Sequence, residues 1–251
     1  MTQSPQEFKG GGIWQAVLGI HGALKGIGLG LLVLFFAAGV IQTCGSLAET
    51  RRPERALALF VWFVLAKAAV QYGLDLMLAV FEIAQGIVSS VMSASGVMGL
   101  SGAALPQEVI DKVAQVGFWQ SIPLWAVTLL GGLFITVLSF VMILTVYGRM
   151  FRLFPFSAIA PIPLAAFAGQ PSANLGRSFL KSYAGVCLEG AVIALACVIF
   201  SAMAGTPPAI DTTVSAVTAV WSYVAELIFN LLVLVGAIKA SDRIVKEMMG
   251  L

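Results

Sequence analysis

From Phe118 to Tyr147 the chain runs for 30 residues without a single Asp, Glu, Lys or Arg. A charge-free apolar run longer than about 20 residues is long enough to cross the hydrocarbon core of a bilayer as a helix. The helix is also the form in which such a segment satisfies its own backbone groups away from water. Three further stretches have this character: Ile27 to Ala48, about Arg177 to Met203, and Val214 to Ile238, the last two holding Glu189 and Glu226 as their only acidic residues. Composition agrees, with 59% hydrophobic and only 10% charged residues and a mean hydropathy of +0.98, where soluble domains carry about a quarter charged residues. The sequence predicts an all-α polytopic membrane helix bundle with spans at about 27–48, 56–90, 118–148, 177–203 and 214–238. Residues 1–26 precede it as an external or interfacial segment, and residues 239–251 follow as an amphipathic, cytoplasmic tail.

Within the N-terminal segment, Ile13 to Lys25 is short and interrupted by Gly19 and Gly22, so it is expected to lie in the interface as an amphipathic lead-in. It carries His21, the one histidine of the chain, which is read as a bystander rather than a pH switch. The first residues lack a basic region leading into a short apolar core and a small-residue cleavage site, so the N-terminus is expected to be retained. Lys and Arg gather in the turn around Arg51, Arg52 and Arg55, in the linker from Arg149 to Lys181, and in the tail at Lys239, Arg243 and Lys246. With five spans these segments fall on one side, which the positive-inside rule makes cytoplasmic. The N-terminus, the excursion from Val91 to Gly117 and the turn from Gly205 to Thr213 are then external.

The linker from Arg149 to Lys181 is the least generic stretch. Pro155, Pro161, Pro163 and Pro171 each remove a backbone donor and disfavour helix at the residue before. No continuous helix is expected to cross it, and Phe154, Ala160 and Ile162 should be extended or in turns. Its filling is nonetheless apolar, with Phe154, Phe156, Ile159, Leu164 and Phe167. That favours a re-entrant or interface-lying hairpin packed against protein over a plain cytoplasmic loop, since irregular backbone at membrane depth needs protein or water to satisfy it. Arg149, Arg152, Arg177 and Lys181 flank the segment and are expected to hold both of its ends at the cytoplasmic headgroups.

The stretch 56–90 is predicted to be one helix of about 50 Å, longer than the bilayer core. Lys67, Gln71, Asp75, Glu82, Gln85 and Ser89 fall within an arc of about 80° at 100° per residue, leaving the rest of the circumference apolar. Ionisable groups at this depth cost a few kcal/mol each unless paired or wetted. The stripe must therefore face the bundle interior, a neighbouring subunit or water. It either lines an aqueous path, or serves as glue in which Lys67 pairs with Asp75, Glu189 or Glu226.

Several function classes lack support. The net charge of +2 is too small for a protein that binds nucleic acid through a basic face. Cys44, Cys187 and Cys197 lie in apolar runs without CxxC spacing and make neither a disulfide framework nor a metal site. There is no GxSxG, HExxH, Walker-type loop or dinucleotide fingerprint, and one histidine supports no imidazole triad. An enzymatic role and a bound cofactor are not expected.

Several segments resemble the TrbL-like family of conjugative transfer proteins, the polytopic inner-membrane channel subunits of type IV secretion systems, akin to the sixth VirB subunit. They are Arg149 with its helix end, Ala160-Pro161-Ile162-Pro163-Leu164, Gly176 through Phe179-Leu180-Lys181-Ser182, Glu189-Gly190 with the run to Met203, and Val235-Gly236 through Lys246-Glu247. Ala66-Lys67-Ala68 and Asp75 in the second span look similar too. The resemblance implies about five spans, an external N-terminus and a cytoplasmic C-terminus in the bacterial inner membrane. It also implies a homo-oligomer at the base of a path for relaxase-bound single-stranded DNA, with ATPases and other secretion subunits as partners. Lys67, Gln71, Asp75, Glu82, Gln85, Glu189 and Glu226 would then line a pore or stabilise the bundle, and the linker with Arg149, Arg152, Pro161, Pro163, Arg177 and Lys181 would meet cytoplasmic partners. Two other readings compete: a proton-coupled or small-molecule permease using Asp75, Glu82, Glu189 and Glu226, and a non-conducting membrane scaffold.

Overall fold

The structure, a computed structural model, describes residues 4–44, 53–94, 117–203 and 215–251. The turn holding Arg51 and Arg52, most of the expected excursion and the expected turn after Ala204 lie outside the described residues. After a single 3-10 turn at Phe8–Gly11, helices follow at Gly12–Cys44 (α1), Pro53–Gln71 (α2), Gly73–Ala94 (α3) and Phe118–Ile159 (α4). They continue with Pro161–Ala165 (α5), a second 3-10 turn at Ala166–Ala168, Ala173–Met203 (α6) and Ala216–Met249 (α7). Among the described residues there is no strand. Five helices are long and apolar enough to cross a membrane, over Gly12–Gln42, Gly73–Ala94, Ser121–Ile159, Ala173–Ala202 and Val217–Met249. The chain is thus an all-α, multi-pass membrane protein.

Two helices differ from expectation. The lead-in is no separate element, because α1 runs unbroken through Gly19 and Gly22. Each glycine costs a helix about 1 kcal/mol relative to alanine, but Trp14, Val17 and His21 on one face are buried and their packing carries the helix through. The stretch 56–90 is two helices, interrupted at Tyr72.

The chain divides into two compact bodies. The first comprises residues 1–87, 148–190 and 242–251. Its core gathers Leu32 of α1, Val70 of α2, Met77 and Phe81 of α3, Leu153 of α4, Leu164 of α5 and Tyr183 of α6. The second comprises residues 88–147 and 191–241. There Leu124 packs on Val220, Val224 presses against Gly131, and Ile193, Leu234 and Ile238 form a small core with Met142 and Val146. Along this part of α4 every seventh residue is buried, at Leu124, Gly131 and Leu138. Trp125, Leu129, Leu133, Phe134, Val137, Phe140 and Leu144 are exposed, as on a helix whose solvent is lipid.

The linker lies in the first body, buried against protein. Pro155 does not end α4, which continues to Ile159. Phe154, Ala160 and Ile162 are all helical rather than extended, Ala160 having φ −44° and ψ −38°. Packing explains this: Leu153, Phe154, Ser157, Ala158 and Ala160 are buried, while the Pro155 ring sits on the exposed side. Pro161 and Pro163 fall at the first and third positions of α5, where a helix has no internal partner for an N–H and loses little to proline.

Because these residues stay helical, the segment advances instead of folding back, and its contacts are strung along α1. The ring of Phe8, just before α1, lies 5.9 Å from that of Phe154. His21 meets Ser157. A side chain at Gly28 would fall 2.7 Å from the Pro161 carbonyl oxygen, and one at Gly169 would fall 2.5 Å from that of Phe35. The two basic ends of the linker therefore stand at different levels of α1. Arg149 and Arg152 are near its N-terminal end, and Arg177, beside the Gly176–Phe167 contact, is near its C-terminal end.

Candidate functional site

Two sets of polar residues stand out. The first is the stripe on α2 and α3. Lys67, Gln71, Asp75, Glu82 and Ser89 are exposed and Gln85 is half-buried, while Ala66, Val70, Met77, Phe81 and Ala84 on the adjoining face are buried. The stripe thus points away from the core of its own body. Among the described residues Lys67, Asp75 and Glu82 make no ion pair. Lys67 pairs with none of its expected partners: Asp75 is exposed, Glu189 is engaged elsewhere, and Glu226 is an exposed residue of α7. Three charges on an apolar helix surface cannot face acyl chains cheaply.

The second set lies where α4, α6 and the end of α7 meet within the first body. Glu189, 2% exposed, accepts from Arg152 at both carboxylate oxygens, Nη2 lying 2.7 Å from Oε1 and 2.5 Å from Oε2. The other Arg152 terminal nitrogen, Nη1, donates to Oδ1 of Asp242 at 2.6 Å, and Oδ2 of Asp242 accepts from Lys246 at 2.8 Å. The planar fork of arginine reaches two carboxylates at once, one from each terminal nitrogen. One turn earlier on α4, Arg149 is 3% exposed, with its guanidinium directly over the Cα of Gly190. Arg149 is therefore no headgroup anchor, whereas Arg177 and Lys181 are exposed as flanking cations would be. The tail is tied in by the same set, with Asp242 on Arg152 and Val245 against Gly185 part-way along α6.

The backbone of the linker is held by side chains from other helices. The carbonyl of Ser157 would normally bond the N–H four residues on, but that residue is Pro161 and has none. His21 supplies the missing donor, its Nδ1 lying 2.9 Å from the Ser157 oxygen. A carbonyl only accepts, which assigns the ring proton to Nδ1. His21 is thus a structural partner of the linker rather than a bystander. Substituting it with leucine leaves that buried carbonyl without a donor and is expected to cost about 1–3 kcal/mol, read as a lowered melting temperature of the purified chain. Tyr183 makes a comparable bridge from α6, its hydroxyl donating to the Met77 carbonyl of α3 at 2.8 Å.

The model of a family described as TrbL/VirB6 plasmid conjugal transfer like protein matches residues 2–161. The chain belongs to this family. No curated protein and no solved structure matches the chain. The matched part of this TrbL/VirB6-like protein holds the whole stripe, Arg149, Arg152 and the linker up to Pro161. Glu189, Gly190 and Asp242 lie beyond it, so the partners of Arg152 come from the unmatched part.

Of the residues singled out in the sequence, the structure brings Arg149, Arg152 and Glu189 together and keeps Lys67, Gln71, Asp75 and Glu82 on one outward face, while Glu226 is an exposed residue of the second body. Sequence reasoning missed Tyr183, Asp242 and the role of His21. Only His21 left a signal, through the carbonyl that Pro161 orphans four residues earlier.

Proposed function

We propose that this protein is a non-enzymatic, multi-pass channel subunit of a conjugative type IV secretion system in the bacterial cytoplasmic membrane. It would form part of the path for relaxase-bound single-stranded DNA or protein, and work as a homo-oligomer with other secretion subunits and ATPases. Family membership supports the setting. The observation that carries the channel role is the outward line of Lys67, Asp75 and Glu82, which make no ion pair among the described residues, on an otherwise apolar helix surface. Such a line is tolerable where water or another subunit covers it, and a ring of copies with this face toward the axis supplies water.

The basic segments do not share one side: Arg177 and Lys181 stand toward the C-terminal end of α1, and Arg152, which holds the tail through Asp242, toward its N-terminal end, so the positive-inside rule assigns no orientation to the chain. The permease reading is weaker, because Glu189 is bound at both oxygens by Arg152 and is not free to relay protons. A scaffold would also explain the outward stripe if a partner protein covers it.

Charge reversal tests the role. A reversed charge on a wetted channel face changes the field met by every charged group that passes it, so Lys67→Glu or Asp75→Lys is expected to lower conjugative transfer about tenfold or more while the protein still accumulates. Unchanged transfer would remove the pore-lining role. Cysteine at Gln71 separates channel from scaffold: a wetted face reacts with an impermeant thiol reagent, and a face covered by a partner does not.

A further inference from the structure

The interruption between α2 and α3 falls in the middle of the polar stripe, with Lys67 and Gln71 before it and Asp75 and Glu82 after it. It is a one-residue break in the helix rather than a loop. Tyr72 still donates to the Ala68 carbonyl at 2.9 Å, and Leu76 donates to that of Tyr72 at 3.0 Å. The residue after the break is Gly73, and Leu164 of α5 is seated on it: a Cβ there would lie 2.8 Å from the Leu164 Cδ1 and 3.9 Å from the His21 Cε1. Leu164 is fully buried, so the seat is occupied from within the protein. On either side the helices are pinned, Val70 and Met77 being fully buried and the Met77 carbonyl receiving the Tyr183 hydroxyl.

We infer that the Tyr72–Gly73 joint is a hinge whose angle is set by Leu164 of the linker, so that a shift of the linker turns Lys67 and Gln71 relative to Asp75 and Glu82. Glycine at position 73 serves this in two ways: it gives Leu164 a seat, and it weakens the helix at that one point. The leverage comes from placement. The linker is docked along α1 through Gly28 and Gly169, so it reaches the joint from a helix that carries none of the stripe. The hinge stands on packing alone, and its effect on translocation rests on the pore-lining role of the stripe.

The test is hydrogen exchange on the full-length chain in lipid nanodiscs, comparing the parent with Leu164→Ala, with Gly73→Ala/Leu164→Ala, and with Leu138→Ala as a control truncation in the second body. Removing Leu164 is expected to speed exchange of the amides around Tyr72 to Met77, and Leu138→Ala is expected to leave them unchanged. Adding alanine at position 73 once the seat is vacant should reverse the effect and slow those amides about fivefold relative to Leu164→Ala, as the helix preference of alanine over glycine requires. Should Leu164→Ala fail to fold, Leu164→Val takes its place with a smaller effect of the same sign. Joint amides unmoved by every linker variant, or moved equally by Leu138→Ala, would overturn the hinge. If the joint stiffens in the double variant and transfer stays at the parental rate while the charge reversals abolish it, the coupling is overturned and the channel role survives. If the joint responds as expected but the charge reversals are silent, the channel role fails and the hinge stands.

Discussion

Replacing Gly190 by alanine is expected to destabilise the first body by about 3 kcal/mol or more, enough to be seen as a large fall in melting temperature and in accumulation in the membrane. The guanidinium of Arg149 occupies the space a Cβ would need. Its Cζ is 2.6 Å and its Nη2 3.3 Å from that position, and Nη1 is closer still. A long side chain elsewhere could swing aside. Arg149 is 3% exposed, between α4 and α6, and any other rotamer carries a buried cation away from the Glu189 carboxylate into apolar packing. The matching control is Gly132→Ala on α4, where nothing lies within 4 Å and alanine should be neutral or slightly stabilising. Equal behaviour of the two variants would mean that Arg149 yields freely and that its place over Gly190 contributes nothing.

The Glu189-Gly190 pair shows what a sequence can and cannot tell. That a carboxylate in the middle of an apolar run must have a partner follows from the cost of burying charge. Which partner it has does not follow, because Arg152 is 37 residues away and Asp242 a further helix on. Span count was readable for a simpler reason: runs such as Phe118–Tyr147 have no soluble alternative. The stripe on α2 and α3 was readable as one face because 100° per residue fixes it whatever surrounds the helix. The direction of that face was not readable, since burial of Val70, Met77 and Phe81 is decided by distant segments.

Prolines misled in a specific way. Pro155, Pro161 and Pro163 do disfavour helix locally, yet Pro161 and Pro163 landed in the first turn of a new helix, and the residue before each is held helical by buried neighbours. Local preferences of about 1–3 kcal/mol were outweighed by packing that no single window of sequence contains. Having stayed helical, the linker travels along α1, and so Arg149 and Arg177, neighbours in a hairpin reading, are separated in space.

The second large effect concerns Glu189 itself, and its size separates a buried pair from a surface one. Glu189→Leu removes the buried carboxylate that Arg152 binds and that acts on the buried Arg149, and removal of one member of a buried pair costs about 3–5 kcal/mol. The lower part of that range is expected, because Arg152 has a side chain 39% exposed and can turn to Asp242 and water. Glu189→Gln keeps an oxygen that accepts from Arg152 and loses only the charge, so it should cost less than half as much. Asp242→Asn should cost under about 1 kcal/mol, since Asp242 is 37% exposed and its bonds to Arg152 and Lys246 are screened. Salt makes the distinction sharper. Raising ionic strength shortens the reach of exposed charges and leaves buried ones nearly untouched, so the Asp242→Asn penalty should vanish in high salt and the Glu189→Leu penalty should persist. Should both vanish, the site would be wetter than 2% exposure of Glu189 allows, and Arg152 would then be a surface cation that happens to touch two acids. A penalty for Asp242→Asn as large as that for Glu189→Leu would instead make docking of the tail, rather than the buried pair, the interaction that holds α4, α6 and α7 together.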